Sequence, residues 1–167
     1  MNNNLINKLE EQLKIDEGVK YEVYEDHLGY ATFGIGHLIT TADKEYGWPI
    51  GTKVTPERVN EVFQTDVQTY ITEVQKVFPD LTNKPDLIQI VLVNMCFNLG
   101  APRLGKFRKF IIAINDEQWA EAAVEMMDSN WANQVGTRAE RLQQIVLNHA
   151  NWEQGCKALD IYSKYSK

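Results

Sequence analysis

Apolar residues recur at helical spacing over most of the chain, with one interruption near the N-terminus. Leu5, Leu9 and Leu13 stand one turn apart with Ile6 beside them, which predicts an amphipathic helix over 5–16. Gly18 supplies a stop just past its end. Between 19 and 40 the period changes. Tyr21, Val23, Tyr24 and the run YATFGIGHLIT are aromatic and β-branched, punctuated by Gly29, Gly34 and Gly36. This predicts a small antiparallel sheet of two or three short strands. Residues 41–54, with Gly47, Pro49 and Gly51, read as a loop.

Helical spacing resumes at Thr55-Pro56, a capping residue followed by Pro at the first helical position. Val59, Val62, Phe63, Val67, Tyr70, Ile71 and Val74 carry it to about Val77. At ~1.5 Å per residue that helix is roughly 33 Å long. Asn83-Lys84-Pro85 opens an apolar helix that closes at Gly100. Further helices are expected near 104–114 and 116–128. Thr137-Arg138-Ala139-Glu140 has the form of a capping box opening another, and a last helical segment is expected over 152–163. No internal repeat, low-complexity tract or flexible linker interrupts the series. The pattern predicts a mainly α, α+β domain: a small sheet beside a larger helical body.

Composition narrows the class. With 167 residues, 44% hydrophobic and 24% charged, the chain suits one globular domain and is too apolar for disorder. No window approaches the ~20 apolar residues of a membrane span, since Leu87 to Leu99 is broken by Gln89 and Asn94. The start has neither a basic n-region nor an apolar h-region, so no classical signal peptide is expected, and the chain should be made as a soluble cytosolic protein. Two cysteines make no disulfide framework or zinc signature; Cys96 reads as a small core residue. The net charge of -6 argues against nucleic acid as a partner. All of that surplus lies in residues 1–70, which hold twelve acids and six bases. Candidate carboxylates belong there.

Glu17 follows the first helix, Asp26 ends the first strand, and Thr32 lies on the next. A helix end facing a hairpin can place two carboxylates and a hydroxyl around one cleft. Paired carboxylates suit glycosidic cleavage, one protonated as acid and the other ionised as base or nucleophile. The helix C-terminus favours the protonated form of Glu17, whereas a partner arginine would oppose that. Two acids beside a hairpin also fit solvated surface charge, and this spacing alone does not choose between the readings.

The stretch KIDEGVKYEVYEDHLGYATFGIGHLIT, residues 14–40, closely resembles the catalytic segment of the T-even phage-type lysozymes, glycoside hydrolase family 24. The family pattern is Glu, eight residues, Asp, five residues, Thr, and Glu17, Asp26 and Thr32 fit it in identity and spacing. The resemblance continues through VNMCFNLG at 93–100, WAEAAVEMM at 119–127 and NWANQVGTRAERL at 130–142. It implies one domain over 1–167. A small sheet-containing lobe would cover about 15–60, a linking helix about 56–77, and a helical lobe about 1–14 and 75–167. It also implies hydrolysis of the β-1,4 bond between N-acetylmuramic acid and N-acetylglucosamine, without metal or organic cofactor. Glu17 would be the general acid. Asp26 would activate water or stabilise positive charge on the sugar, and Thr32 would position the water.

Supporting roles follow from the same resemblance. Arg138 would pair with the catalytic glutamate, against the alternative of a surface ion pair. Leu38, Phe97 and Asn98 would line the sugar cleft, and Phe97 equally suits an ordinary core position. His37 and Asp66 would form a structural ion pair. Trp119, Trp131 and Trp152 would be core residues, whereas Trp48, in a loop, would be a packed anchor or a platform for a sugar. His27 and His149 read as surface residues.

Three departures stand out. The 41–54 segment is shorter than in the best-known members of that family. Phe110 and Glu125 stand at two further cleft positions of that family, where small or amide side chains are expected. The chain is acidic where those members are basic, with Glu10, Glu11, Glu22, Glu25 and Glu45 read as surface charge. The exception is RLGKFRK at 103–109, which puts four positive charges in seven residues. It reads as a solvated helix start or as a local contact for an anionic wall. The expected role is that of a monomeric endolysin, held in the host cytoplasm until a holin opens the membrane and then acting on the wall. The competitors are a lytic transglycosylase, a catalytically silent module of a phage particle and a chitin-directed enzyme.

Overall fold

The computed structural model describes the backbone of residues 1–165 and the side chains of residues 1–153. It divides into two compact units, Met1–Glu73 and Val74–Lys167.

The first unit opens with α1 (Asn3–Glu17), whose N-terminus is capped by the Asn2 side chain accepting from the Leu5 amide at 2.9 Å. Leu5, Ile6, Leu9 and Leu13 are all buried, as their spacing predicts. Each contributes roughly 1.5–3 kcal/mol through burial. Gly18 ends the helix at φ +73, a left-handed value that glycine adopts without strain. The chain then enters β1 (Lys20–Glu25), β2 (Ala31–Gly34) and β3 (His37–Leu38), an antiparallel sheet in the order β1-β2-β3. Tyr24 pairs with Thr32, and Thr32 with Leu38.

Residues 41–54 are more ordered than their glycines suggest. Turns fill 41–51, and the end of the segment runs back along β1. The Val23 amide donates to Thr52 O at 2.9 Å and the Val54 amide to Tyr21 O at 3.0 Å, with a bridge between Glu22 and Lys53. Glu45, expected at the surface, is instead fully buried. The reason is Arg58, which meets its carboxylate in a two-point fork, Nε to Oε1 at 2.8 Å and Nη2 to Oε2 at 3.0 Å. A helix, α2 (Pro56–Val77), follows. Thr55 caps it through its hydroxyl, which accepts from the Arg58 amide.

In the second unit a 3-10 turn at Leu81–Asn83 leads into α3 (Asp86–Leu99). Ile88 to Cys96 are buried without a break, so this helix is apolar all round and forms the centre of the unit's core. The two polar residues in the run have specific work. Gln89 Nε2 donates to Lys84 O at 2.8 Å, and Asn94 accepts from Arg138. The expected 104–114 helix is split at Gly105 into α4 (Ala101–Leu104) and α5 (Arg108–Asn115). Next come α6 (Trp119–Met127) and a short α7 (Asn130–Val135) capped by Ser129. The chain ends in α8 (Thr137–Tyr165), which packs mainly on α6 and also on α3 and α7.

Three expectations are corrected in this unit. Thr137 is the first residue of α8, not its cap, because Gly136 holds the turn that starts the helix. The segment at 152–163 is a continuation of α8. Trp152 is exposed, facing outward and stacked on His149 at 6.1 Å, while Trp119 and Trp131 are buried as expected. His149 is correspondingly half-buried between Trp119 and Trp152. Cys96 is fully buried in α3; the Cys156 side chain lies outside the described residues. Among the described residues, no helix is long and apolar enough to cross a membrane.

Candidate active site

The first unit brings three of the expected site residues to one region. Glu17 is the last residue of α1, partly exposed, and its side chain lies over Gly36. Gly36 has φ +66, and a Cβ built there would stand 3.7 Å from Glu17 Oε2. That is an ordinary contact, so the glycine serves the left-handed backbone turn and not the space beside the glutamate.

Asp26 sits at the head of the β1–β2 turn. Its Oδ1 accepts two amide hydrogen bonds, from Leu28 and Tyr30, both at 2.9 Å. The Asp26 amide donates back to Tyr30 O, closing the hairpin. The amide bond from Tyr30, with help from that of Leu28, holds this carboxyl below the ordinary aspartate range despite the opposing effect of burial. It is ionised at any pH near neutrality, and only one of its oxygens is occupied by the turn.

Thr32 is buried in β2 and donates its hydroxyl proton to Tyr30 O at 3.0 Å. With that proton committed, the hydroxyl oxygen keeps its lone pairs for an incoming donor such as water.

Tyr24 is a residue the sequence reasoning left among the sheet-forming aromatics. It pairs with Thr32 across the strands, and the Lys20 ammonium lies 4.1 Å from its ring centroid. Burial, then the fields of Glu17 and Asp26, push its phenol upward, so both carboxylates lie within Coulombic reach of this one side chain. Its place two residues before Asp26 on a strand is the signal that puts it on the Asp26 side of the sheet.

His37 and Asp66 form the expected pair, Nδ1 to Oδ2 at 2.8 Å. Asp43, absent from that expectation, approaches the other ring nitrogen at 3.2 Å, an ion-pair distance without hydrogen-bond alignment. Burial lowers the histidine, but the bond to Asp66 and the fields of both aspartates outweigh it, and His37 titrates above its ordinary range. A raised folded value means stability that is present in full below about pH 6.5 and is lost as pH rises through the folded value. His37→Asn should therefore cost about 1.5–3 kcal/mol at pH 5.5 and clearly less at pH 9. Thermal melts at both pH values check this. Equal losses would show that packing against Phe33, 5.0 Å away ring to ring, carries the whole effect.

Leu38 is half exposed on β3 and so is available to a ligand. In the second unit Phe97 is partly buried near the end of α3. Asn98 is exposed, although its Oδ1 already accepts from Trp131 Nε1 at 2.9 Å, leaving its amide group to donate. Arg138 is buried, not a surface arginine at a helix start. Its Nε donates to Asn94 Oδ1 at 3.0 Å and its Nη2 to Asn94 O at 3.2 Å. That clamp orients the rest of the guanidinium. Trp48 is about one-third exposed, on a turn where its amide bonds Glu45 O. Among the described residues no three His, Cys, Asp or Glu side chains gather as metal ligands do.

Residues 14–153 match the family model described as phage lysozyme. The chain belongs to the phage lysozyme family. Among its relatives is a probable T4-type lysozyme 2 of Dictyostelium discoideum, 33% identical over a 160-position alignment that covers 84% of this chain and 94% of that protein. The pre-baseplate central spike protein Gp5 of Enterobacteria phage T4 is 31% identical over a 155-position alignment that covers 82% of this chain but 27% of the spike protein. Peptidoglycan hydrolase gp36 of Pseudomonas phage phiKMV is 29% identical over 135 residues. A phage lysozyme is mainly helical with a small antiparallel sheet here, and Glu17, Tyr24, Asp26, Thr32, His37 and Leu38 all lie in or beside that sheet.

Proposed function

We propose that the chain is a peptidoglycan hydrolase of the muramidase type, cleaving the β-1,4 bond between N-acetylmuramic acid and N-acetylglucosamine. The observation that carries this reading is the group of Glu17, Asp26 and Thr32 around Tyr24, with Asp26 held ionised by backbone amides. Glu17 protonates the glycosidic oxygen as the bond breaks. Asp26 deprotonates and orients the attacking water or stabilises the positive charge that develops on the sugar. The Thr32 oxygen accepts from that water. Arg138 is assigned as the partner of Glu17, and Leu38, Phe97 and Asn98 as sugar contacts. The likeness to proteins named lysozyme and peptidoglycan hydrolase supports the substrate class.

On this reading the protein works as a monomeric endolysin. It accumulates in the host cytoplasm, reaches the wall once a holin has opened the membrane, and lyses the host.

The test is digestion of purified peptidoglycan with mass analysis of the products. New reducing muramic ends are expected. Anhydro-muramic ends would instead mark a transglycosylase, and no products from any wall type would favour a silent module. Asp26→Asn sharpens the result. The Asn oxygen can accept the same two amides from Leu28 and Tyr30, so the turn and the melting temperature should survive. The charge is lost, and activity should fall by about 10²-fold or more. A loss of activity matched by a loss of fold would remove Asp26 from the mechanism.

A further inference from the structure

Two hydrogen-bond donors on β1 are left unused by the acid, base and water positions assigned to the site. Lys20 and Tyr24 stand four residues apart on that strand, opposite Gly34 and Thr32, which are two apart on β2. The extra residues make a bulge, a feature that re-aims side chains and gathers beside active sites. The bulged stretch bonds to the other neighbour of β1. Gly51 donates to Val23 O at 2.7 Å, Val23 to Thr52 O at 2.9 Å and Val54 to Tyr21 O at 3.0 Å. With β1 bent in this way, the Lys20 ammonium lies on the Tyr24 ring, 4.1 Å from its centroid.

Neither donor is spent among the described residues. Of the six bases in residues 1–70, Lys14 pairs with Glu10, Lys53 with Glu22 and Arg58 with Glu45. Lys20 is exposed and forms no ion pair among the described residues, although the same stretch holds twelve acids. A seat on an aromatic face orients an ammonium and leaves its protons free to bond. The half-buried Tyr24 hydroxyl likewise makes no hydrogen bond to a described residue. Burial, then the fields of Glu17 and Asp26, keep it protonated and therefore a donor near neutral pH. Two held donors, one of them charged, call for an acceptor that the ligand brings, and a carboxylate satisfies both. Glu17 and Asp26 would repel such a group, and Lys20 offsets them.

We infer that Lys20 and Tyr24 form a specificity site for the carboxylate-bearing acyl substituent of the muramic sugar, Lys20 receiving the carboxylate and Tyr24 donating to the same substituent. The inference rests on the muramidase reading of Glu17 and Asp26. Of the two alternating sugars, muramic acid carries an ether-linked lactyl group whose carboxyl bears the peptide, and N-acetylglucosamine carries none. The pair thus gives the site a means of telling a peptide-bearing wall glycan from a neutral N-acetylglucosamine polymer.

The probe is a synthetic tetrasaccharide of alternating N-acetylglucosamine and N-acetylmuramic acid, each muramic sugar carrying an alanyl-glutamyl dipeptide. Its comparison is the same compound with the dipeptide carboxyls converted to amides, so that charge alone differs. The unmodified chain should cleave the acid form with a kcat/KM about fivefold or more above that for the amide form, the difference lying in KM. K20Q should bring this ratio close to one, and K20R should keep it. Y24F retains the seat for Lys20, so the ratio should stay while kcat/KM falls roughly two- to tenfold on both forms. Y24L removes the seat and should lose the ratio. Damage to the fold would lower both forms alike and leave the ratio standing. Calorimetric binding of the two forms to Glu17→Gln separates recognition from cleavage. Tighter binding of the acid form, with no cleavage by the unmodified chain, would keep the specificity site and overturn the muramidase reading. Cleavage of both forms with equal kcat/KM, or a ratio untouched by K20Q, would overturn the site and leave that reading in place. Equal or undetectable binding of the two forms would overturn the site whatever the cleavage result.

Discussion

Glu17→Gln is expected to remove peptidoglycan hydrolysis while leaving the melting temperature nearly unchanged. Glutamine keeps the size of the side chain and its ability to hydrogen bond, but it has no acidic proton to give. A sugar leaves poorly as an alkoxide, so loss of the general acid should sit near the upper end of the usual effect, about 10³–10⁴-fold. Stability should hardly move. Asp16 and Glu17 place two acids in the last turn of α1, where the carbonyl end of the helix disfavours negative charge. Neutralising one of them relieves about 0.3–1 kcal/mol, and the weaker bond that glutamine makes to the assigned partner Arg138 offsets it, so the melting temperature should stay within roughly 1–4 °C of the unmodified chain. The two readouts together separate chemistry from scaffolding. A variant that is inactive and also several degrees less stable would mark Glu17 as a structural residue. A variant that still releases reducing ends at a tenth of the normal rate would sink the acid assignment outright.

Parts of the site are legible in the sequence. A glutamate in the last turn of an amphipathic helix, followed at once by a glycine, breaks the local charge rule, and such breaks gather at functional positions. Glu17 and Gly18 carry that signal on their own. Asp26 and Thr32 carry less of it, because an aspartate heading a turn and a threonine in a strand are common structural choices. Their fixed spacing from Glu17 and the family likeness raise them above that background. The helices of the second unit are legible wherever period and terminators agree, as in α3 between Pro85 and Gly100. The split at Gly105 and the unbroken run of α8 are harder to read. A glycine inside a helical pattern can be tolerated or can end the helix, and only packing decides.

What the sequence hides is pairing across distance. Glu45 lies in a polar, glycine-bearing stretch that looks like exposed loop, and nothing near it in sequence is its partner. Arg58 stands thirteen residues away, past the turns and the helix cap. Trp152 misleads in the opposite sense. An aromatic at helical spacing suggests core, yet its place on α8 turns it outward.

Arg58→Met should be the most destabilising single change in the first unit's polar framework. The arginine grips Glu45 with two nitrogens, bonds Glu61 Oε2 through Nη1 at 3.0 Å, and lies 3.6 Å from Asp43 Oδ1. Asp43 in turn accepts from the Thr40 amide at 2.8 Å and faces His37, which is bonded to Asp66. The 41–54 segment is therefore tied to α2 through charges, where a longer chain could have used a helix of its own. Removing the cation leaves the Glu45 carboxylate buried without its counter-charge. Breaking a deep ion pair costs about 3–5 kcal/mol; because Arg58 keeps about 15% of its surface in solvent, about 2–3 kcal/mol is expected here. The melting temperature should fall by roughly 4–12 °C.

The pH dependence identifies the cause. Burial raises Glu45, but the bonds from Arg58 outweigh it and hold the carboxyl below its ordinary range. A depressed folded value means stability that is present above about pH 4.5 and lost as pH falls through the folded value. The gap between the unmodified chain and Arg58→Met should thus be widest near neutral pH and shrink toward pH 3, where Glu45 takes up a proton in both. Glu45→Gln/Arg58→Met should recover part of the loss, because no buried charge remains to be stranded. Urea melts of the four members of that cycle at pH 7 and pH 3.5 decide the matter. A deficit below about 1 kcal/mol at pH 7 would reduce the pair to an ordinary surface bridge. A deficit that does not change with pH would assign it to lost packing of the arginine stem.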